Sequence, residues 1–550
     1  MAKEGNGRPD AGLRSLNHYQ HRLPKWRYWT RQKLLPLVRY ETPYLAWFQE
    51  KMRTPSLDTW FAITANLGTH TFFMIFLPIL FWCGYTSLGR GMVHILASGV
   101  FFSGFIKDLF CLPRPLSPPL TRITMSGSAA LEYGFPSTHS TNAVSVAVYA
   151  MYLLRSPETV MSPLLNTVLQ GTLYLYVFSI VIGRLYCGMH GFFDVVIGCA
   201  LGAFIALVQC RYGEDFDAMV VSGSLKQLLL IIFIILVFVR IHPEPADDCP
   251  CFDDSVAFAG VAAGCEVAYW HYAQTSYSWS EPIPGTVPYQ LERMGLFKTI
   301  VRLTLGVLAI FAWRGIMKPS LLRILPPIFR GLEKLGLILP RRFFTRASEY
   351  KKVPGHLKDD DVLPRISDIP TILTSIRHPR RRAVSVGPQS EADAYETLAY
   401  REKRRRESVS SGQPGTPSVS RGSPMTPLSD GDQKPGLASV GEGSGLTQRK
   451  QTKLEEYENM MGTGTPRYSP EVVATGERSS VVATTPSNPA EYGPEGPNEE
   501  EMFSRLLKPR VRYDVEVVTK LIVYSGIAWL VLEGCPILFE IIGLGGRDLQ

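Results

Sequence analysis

The sequence predicts an all-α, multi-pass transmembrane helical bundle that carries a long disordered polar insert. Three observations lead to this prediction. Apolar runs long enough to cross a bilayer recur between residues 57 and 317, and again near 515–543. Cationic and histidine side chains stand at the ends of several runs, and their cost at membrane depth makes them candidates for a functional site. Residues 346–505 are instead polar, basic and rich in Ser, Pro and Gly, with too few apolar side chains to fold alone.

Five segments are predicted to follow one another along the chain. Residues 1–56 form a polar N-terminus and an interfacial amphipathic segment, with aromatic rings at the lipid headgroups and basic groups outside them. Residues 57–215 form the core, and residues 216–345 add transmembrane helices and an amphipathic segment. The insert follows at 346–505, and residues 506–550 hold a C-terminal span broken by Pro536. The predicted spans lie near 69–86, 92–111, 140–154, 164–183, 192–210, 225–241, 255–273, 297–316 and 515–543.

Composition narrows the classes of function. The net charge of +8 over 550 residues is concentrated outside the spans, as expected for basic segments that flank a membrane protein, and no nucleic-acid partner is expected. The nine cysteines are scattered, and the only close pair, Cys249 and Cys251, lacks the spacing of a zinc or redox motif. No disulfide framework is predicted. The hydrophilic N-terminus resembles no cleavable signal peptide, so an internal span is expected to direct membrane insertion.

Three motifs lie at helix ends that the span count places on one membrane face. They are Lys107–(six residues)–Arg114–Pro115, then Pro136–Ser137–Thr138–His139, then Arg184–(five residues)–His190–(three residues)–Asp194. A phosphate monoester carries nearly two negative charges, so a site that cleaves it without a metal needs several cations, a nucleophile and an acid. The three motifs supply each class.

The cations of these motifs are the candidate phosphate ligands. Arg114 and Arg184 each offer a planar fork for bidentate binding, and Lys107 acts as a point charge. Ser137 is a good N-cap residue, so its hydroxyl and the neighbouring amides at the start of an apolar helix form an anion site. A lone arginine at the end of a membrane helix often only extends its guanidinium to the membrane–water interface. The occurrence of all three motifs together favours a phosphate site instead.

The two histidines fit two different roles. His190 and Asp194 are spaced i, i+4, which on a helix puts both on one face, so the carboxylate can orient the imidazole of a nucleophile. His139 is then available as the general acid that protonates the departing alkoxide. One alternative is a metal site of His139, His190 and Asp194, against which the three cations argue by repulsion. Another is a buried structural His–Asp pair, which leaves the arginines unexplained.

The insert contains sequences that protein kinases favour. Arginine triplets precede Ser385 and Ser408, and several Ser-Pro or Thr-Pro pairs follow. Protein kinases acting on 346–505 are therefore candidate partners, and chance matches in a Ser/Pro/Arg-rich segment are the alternative. The remaining sites begin at Thr416, Ser423, Thr426, Thr465 and Ser469.

The three motifs resemble the signature of the type 2 phosphatidic acid phosphatase superfamily, also called lipid phosphate phosphatases: K-x6-RP, PSGH and SR-x5-H-x3-D. The resemblance covers residues 107–194 and implies a phosphatidic-acid-phosphatase-type core. Within the superfamily the chain is similar to fungal dihydrosphingosine-1-phosphate and sphingosine-1-phosphate phosphatases, because its second motif has Thr138 and its core is followed by extra spans and a polar insert.

The resemblance implies a function and a mechanism. Sphingoid long-chain base 1-phosphates (dihydrosphingosine, phytosphingosine or sphingosine 1-phosphate) would be hydrolysed to the free base and phosphate without metal or cofactor. His190 would attack phosphorus to form a phosphohistidine, Asp194 would orient it, and His139 would protonate the leaving group. The phosphoryl oxygens would be held by Lys107, Arg114, Ser137, Thr138 and Arg184.

Two positions depart from the superfamily pattern. Thr138 replaces Gly, which restricts how closely the backbone approaches phosphate, and Gly183 replaces the Ser before Arg184. Neither change removes a residue assigned to the chemistry.

The substrate and the sidedness stay open at this stage. The motifs recognise phosphate, so phosphatidic acid, diacylglycerol pyrophosphate, a polyprenyl pyrophosphate, or transfer to a lipid hydroxyl are alternatives, and a membrane transporter is the non-enzyme alternative. The resemblance implies an endoplasmic reticulum membrane protein with a lumenal site. The span count puts the site, the basic N-terminus and the insert on one side, which the positive-inside rule would make cytosolic.

Overall fold

The computed structural model describes residues 11–12, 16–68, 70–116, 120–123, 132–157, 161–247, 249–337, 344–351, 353 and 512–546. In this part of the chain β-structure is limited to two isolated bridges, Trp279 with Thr286 and Thr345 with Tyr513. The prediction of an all-α fold is confirmed. Apart from 346–351 and 353, the predicted insert and its kinase sites lie outside the described residues.

Thirteen helices are found within those ranges. They are α1 (Leu16–Arg22), α2 (Lys25–Met52), α3 (Pro55–Thr64, continued by a 3-10 turn at Ala65–Gly68), α4 (His70–Trp82), α5 (Thr86–Phe110), α6 (Thr138–Leu154), α7 (Pro163–Tyr186), α8 (Phe192–Ser222), α9 (Leu225–Ile241), α10 (Cys251–Tyr272), α11 (Leu291–Lys334), α12 (Val515–Trp529) and α13 (Cys535–Ile541).

Each of the nine predicted spans coincides with a helix, but fewer meet the requirements of a span. Five helices of the described part are long and apolar enough to cross a membrane: α5, α7, α8, α11, and α12 together with α13. A sixth span results if Pro55–Gly68 and Phe72–Trp82, bent by 54°, count as one. Helices α6 and α9 have 17 residues each, and the apolar α10 carries three carboxylates, so these three stay predictions as spans.

Helix α5 lies at the centre of the bundle, where it packs against α6, α8 and α10. Small residues allow such close packing, as is usual between membrane helices. A Cβ atom on Gly202 of α8 would collide with the carbonyl oxygen of Thr141 in α6, and one on Gly264 of α10 would collide with Ser525 of α12. Gly202 and Gly264 therefore mark close helix contacts.

The interfacial helix α2 differs from its prediction. Its aromatic side chains are exposed as expected, with Trp29 63% exposed. Two of its basic residues point inward instead: Arg27 Nε donates to the carbonyl of Leu109 at 2.8 Å, and Arg31 Nε donates to that of Cys111 at 3.1 Å. The expectation of outward basic groups is wrong here because the last carbonyls of α5 lack helical partners, and the guanidinium groups satisfy them.

Two predicted helix boundaries are also corrected. The span near 297–316 and the amphipathic segment after Lys318 form one helix, α11, whose single departure from helical backbone is Gly295 at φ 75°. Leu321, Leu325 and Phe329 continue its buried face into the main core. At the C-terminus Pro536 does not break the span. The π-turn Leu530–Gly534 directly precedes it, and this wider turn accommodates the loss of the backbone hydrogen bond that proline, which lacks an N–H, cannot donate.

The start of α2 and both ends of the insert lie at the same end of the helical bundle. Thr345 N–H donates to the carbonyl of Arg512 at 2.8 Å, so the chain before and after the insert meets there. Arg512 in turn donates to the carbonyl of Cys249 and pairs with Asp253 at 3.4 Å, at the start of α10. This is the end where α2 caps α5, so the arrangement agrees with the common side predicted from the span count.

Candidate active site

Four helix ends meet at this end of the bundle: the last turns of α5 and α7 and the first turns of α6 and α8. The backbone N–H of Ser137 donates to the carbonyl of Asp194 at 3.0 Å, which joins the start of α6 to the start of α8. Gly198 passes so close that a Cβ atom there would lie 2.6 Å from the carbonyl oxygen of Ser137. The three motifs, up to 87 positions apart, are thereby brought into one site.

Lys107 and Arg114 form a buried pair of cations that share one counter-ion, Glu132. The Oε2 atom of Glu132 lies 3.0 Å from Nζ of Lys107 and 3.3 Å from Nη2 of Arg114. The side chains of Lys107 and Arg114 are 3% and 4% exposed, whereas that of Glu132 is 21% exposed. Two desolvated cations converging on one anionic oxygen are suited to bind a phosphoryl oxygen.

Arg114 is held in place by backbone carbonyls. Its Nη1 donates to the carbonyl of Met189 at 2.7 Å, and its Nε donates to that of Glu132 at 3.1 Å. The same Nη1 lies 3.2 Å from Nε2 of His190. The guanidinium therefore bridges the first motif to the third.

His190 precedes α8 in a short loop and is 1% exposed. Its Nδ1 lies 2.9 Å from the carbonyl oxygen of Gly134, and a carbonyl can only accept, so Nδ1 carries the proton. Nε2 therefore presents its lone pair toward Arg114. Burial, followed by the charges of Arg114 and Lys107, holds the pKa of His190 well below 6.5. The imidazole is neutral, as a nucleophile must be.

Asp194 lies near His190, but not in the way the spacing predicted. The i, i+4 relation on one helix face is wrong, because α8 begins only at Phe192 and His190 precedes its N-cap, Gly191. Asp194 Oδ2 accepts the N–H of Gly191 at 2.9 Å and lies 3.7 Å from Nδ1 of His190. The carbonyl of Gly134 makes the closer contact with the imidazole.

Ser137 is the N-cap of α6, as predicted. Its Oγ accepts the N–H of Ser140 at 3.3 Å and the hydroxyl of Ser140 at 2.9 Å, and the side chain is fully buried. Thr138 directs its side chain to α5, where Oγ1 lies 2.9 Å from Oγ of Ser103. The side chain of Thr138, which stands where the superfamily motif has glycine, thus packs against α5.

Arg184 and His139 complete the predicted set. Arg184 is buried in the last turn of α7, and its Nε has no hydrogen-bond partner among the described residues. His139 is half-buried in the first turn of α6, close enough to His190 to contribute to the lowering of its pKa. Gly183, the other departure from the signature, lies against Phe61, where a Cβ atom would approach Cδ1 to 3.0 Å.

Three further residues at the site escaped the sequence analysis. Glu132 could have been recognised from the sequence, because it is the only charged residue between Arg122 and His139. Gly134 acts through its backbone carbonyl, which no side-chain pattern indicates. Glu41 of α2 accepts the N–H of Phe193 at 2.8 Å and so caps α8, a contact 152 positions apart in sequence.

The metal alternative finds no matching ligand cluster in the described part of the chain. Groups with ligand atoms within 4.8 Å of one another are His94–Cys265–Glu266 and Asp108–Cys249–Cys251, and neither contains His139, His190 or Asp194. All nine cysteines lie in the described ranges and are free thiols there.

A groove of about 650 Å³ runs between α6 and α7. On α6 it starts at Val144, five residues or roughly 7.5 Å along the helix from His139. On α7 it starts at Val177, seven residues before Arg184. Its walls are mainly aliphatic and aromatic, and it ends at Arg155 and Pro157 at the opposite end of the bundle. None of the eight predicted site residues lines this groove.

Known proteins resemble this chain in the region of the site. Residues 88–216 match the PAP2 superfamily, and this stretch contains all eight predicted site residues. A dihydrosphingosine 1-phosphate phosphatase of Schizosaccharomyces pombe is 41% identical over 332 residues, which are 60% of this chain and 79% of the relative. The chain belongs to the PAP2 superfamily. The resemblance inferred from the three motifs is confirmed.

Other relatives within the PAP2 superfamily have related names. A dihydrosphingosine 1-phosphate phosphatase of Saccharomyces cerevisiae is 33% identical over 56% of this chain and 75% of its own length. The human sphingosine-1-phosphate phosphatase 2 is 25% identical over 52% of this chain and 73% of its own. No solved structure matches the chain. The PAP2 region supplies α5, α6, α7 and most of α8, which are the four helices whose ends build the site.

Proposed function

We propose that this protein hydrolyses sphingoid long-chain base 1-phosphates to the free base and inorganic phosphate through a phosphohistidine on His190. The observation that carries the proposal is the neutral His190, whose Nε2 faces the cation pair of Lys107 and Arg114. A nucleophile and an anion site in contact are what phosphoryl transfer requires.

In the first half-reaction the phosphate displaces the carboxylate of Glu132 from the cations. Lys107, Arg114 and Arg184 then hold phosphoryl oxygens, and the unpaired Nε of Arg184 gains an acceptor. The hydroxyl of Ser137 only accepts in its bonds with Ser140, so its proton is available for an oxygen, and the amide of Thr138 adds a donor at the helix start.

Bond making and breaking follow from these positions. Nε2 of His190 attacks phosphorus, the P–N bond forms, and the P–O bond to the lipid breaks. His139 gives its proton to the departing alkoxide, and the now neutral imidazole takes a proton from the water that hydrolyses the phosphohistidine. The carbonyl of Gly134 keeps Nδ1 protonated, and Asp194 at 3.7 Å stabilises the cationic imidazole that forms.

The membrane setting supports a lipid substrate. The groove between α6 and α7 starts near His139 and offers the alkyl chain an apolar path away from the cations. The names of the relatives from Schizosaccharomyces pombe and Saccharomyces cerevisiae favour a sphingoid base phosphate over the alternatives, phosphatidic acid and polyprenyl pyrophosphate. We further propose residence in the endoplasmic reticulum membrane with the site on the lumenal face, as the family resemblance implies.

Phosphate release by purified full-length protein in detergent tests the proposal. With EDTA present, wild type should cleave dihydrosphingosine 1-phosphate faster than phosphatidic acid, and His190→Ala should lose activity by at least about 10³-fold. His21→Ala, at an exposed histidine of α1, is the matched control and should match wild type. Activity in His190→Ala, or none in wild type, contradicts the proposal, and faster cleavage of phosphatidic acid contradicts its choice of lipid.

A further inference from the structure

Glu132 occupies the position in the site where an anion is expected. Its Oε2 is shared by Nζ of Lys107 and Nη2 of Arg114, the two cations assigned to the phosphate. In chemical terms this carboxylate oxygen stands where a phosphoryl oxygen would stand. Substrate binding must therefore move the carboxylate without removing it from the neighbourhood, since the backbone carbonyl of Glu132 is itself bonded to Nε of Arg114 at 3.1 Å.

The burial of the three groups shows which of them can move. Lys107 and Arg114 are almost fully buried, and Arg114 is fixed by the carbonyl of Met189. Glu132 is the most exposed of the three, on a side chain with three rotatable bonds. It can turn toward the opening of the site while the cations stay in place.

A displaced carboxylate beside a bound phosphate repels it unless a cation lies between them. A sphingoid base 1-phosphate brings such a cation, because its protonated amine sits on the carbon next to the phosphate ester carbon. Phosphatidic acid has an ester oxygen at the equivalent position and brings no positive charge. Of the two lipids, only the amine-bearing one brings a counter-ion of its own to the displaced carboxylate of Glu132.

We propose that Glu132 binds the ammonium group of the substrate and so determines the preference for sphingoid base phosphates over amine-free lipid phosphates. The inference rests on the proposed function, since it assumes that Lys107 and Arg114 hold the phosphate. In the resting protein Glu132 pairs with Lys107 and Arg114. In the complex the phosphate takes its place on these cations, and Glu132 pairs with the ammonium group of the substrate.

Two simpler roles for Glu132 lead to different kinetics. A carboxylate that only braces the cations would affect all substrates alike when removed. A carboxylate that only competes with phosphate would, when neutralised, improve kcat/KM for every lipid and strengthen inhibition by inorganic phosphate. Recognition of ammonium instead lowers kcat/KM selectively for the amine-bearing lipid.

The test compares dihydrosphingosine 1-phosphate with its analogue in which a hydroxyl replaces the amine, so that the chain and the phosphate are identical. Wild type should prefer the amine by about tenfold or more, the range of a hydrogen bond to a charged group. Glu132→Gln should abolish that ratio by lowering kcat/KM for dihydrosphingosine 1-phosphate more than for the analogue, and Glu132→Asp should restore part of it. Asp215→Asn, which removes an exposed carboxylate paired with Arg211 on α8, is the control and should keep the wild-type ratio.

Each outcome decides the inference. An unchanged ratio in Glu132→Gln, or equal gains on both substrates, overturns it. If Glu132→Gln does not fold, Glu132→Asp decides: a ratio lowered toward one supports the inference, and a ratio equal to that of wild type overturns it. Wild type that cleaves neither lipid overturns the proposed function itself, and the inference falls with it.

Discussion

The protonation state of His190 is set by its surroundings. Gly134 accepts the Nδ1 proton at 2.9 Å, and burial with three neighbouring cations makes a second proton unfavourable. A histidine in water would be about half protonated near pH 6.5. In this site the imidazole stays neutral at pH values where an exposed histidine is protonated.

The pH dependence of kcat/KM should report this shift. Protonation inactivates His190, so kcat/KM should fall as the pH drops through the pKa of this residue. Because that pKa is lowered, the fall at acid pH, the acid limb of the profile, should lie below pH 6.5. Lys107→Met removes one repelling cation and should move that limb to higher pH. The profile is measured on free protein with limiting substrate, corrected for the second ionisation of the phosphate, near pH 6. A limb at or above 6.5 that Lys107→Met leaves in place contradicts the assignment.

At the scale of the helices, the site depends on the close packing of α6 and α8. Gly198 and Gly202 face the backbone of Ser137 and Thr141, one helical turn apart on each helix. The hydroxyl of Thr141 reinforces the contact by donating to the carbonyl of Gly198 at 3.0 Å. The position of Ser137, the N-cap that we propose binds phosphate, therefore depends on two glycines of α8 that let the two helices approach closely.

Gly198→Ala should separate α6 from α8. The added methyl meets a backbone carbonyl, which cannot rotate away, so we expect a loss of about 1–3 kcal/mol in stability and a lower kcat as Ser137 moves. Thermal unfolding in detergent and phosphate release measure the two effects. The matched control is Gly171→Ala on α7, where nothing lies within 4 Å of the new atom and no loss is expected. Equal behaviour of the two variants would show that the close contact is unimportant.

For the whole molecule, the open property is the side of the membrane that the site faces. The start of α2, the ends of the insert and the site all lie at one end of the bundle, so one measurement locates all of them. The connection between α10 and α11 lies at the other end, and Ser280 and Glu281 are exposed there. The chain has no Asn-x-Ser/Thr sequence of its own, so introduced acceptors are unambiguous.

A lumenal site predicts a definite glycosylation pattern. An acceptor cassette placed within residues 386–400 of the insert should be glycosylated, and the same cassette between Ser280 and Glu281 should not. Glycosidase-sensitive shifts in mobility on gels measure both, and retained phosphatase activity shows that each variant folds. The reverse pattern would place the site in the cytosol, as the positive-inside rule favours.

The sequence by itself determined the class of fold and the chemical groups of the site. Long apolar runs can satisfy their backbone in a membrane mainly as helices. The cations and histidines at the ends of those runs, among them Lys107, Arg114 and His190, indicated phosphate chemistry. Only the tertiary structure decided how these groups are paired. The Nδ1 contact of His190 with Gly134, the bond of Arg27 to α5 and the placement of Glu132 between two cations join residues far apart in sequence. Such contacts depend on which helix ends meet in the folded protein, and neither the hydropathy pattern nor the spacing of motifs predicts which ends meet.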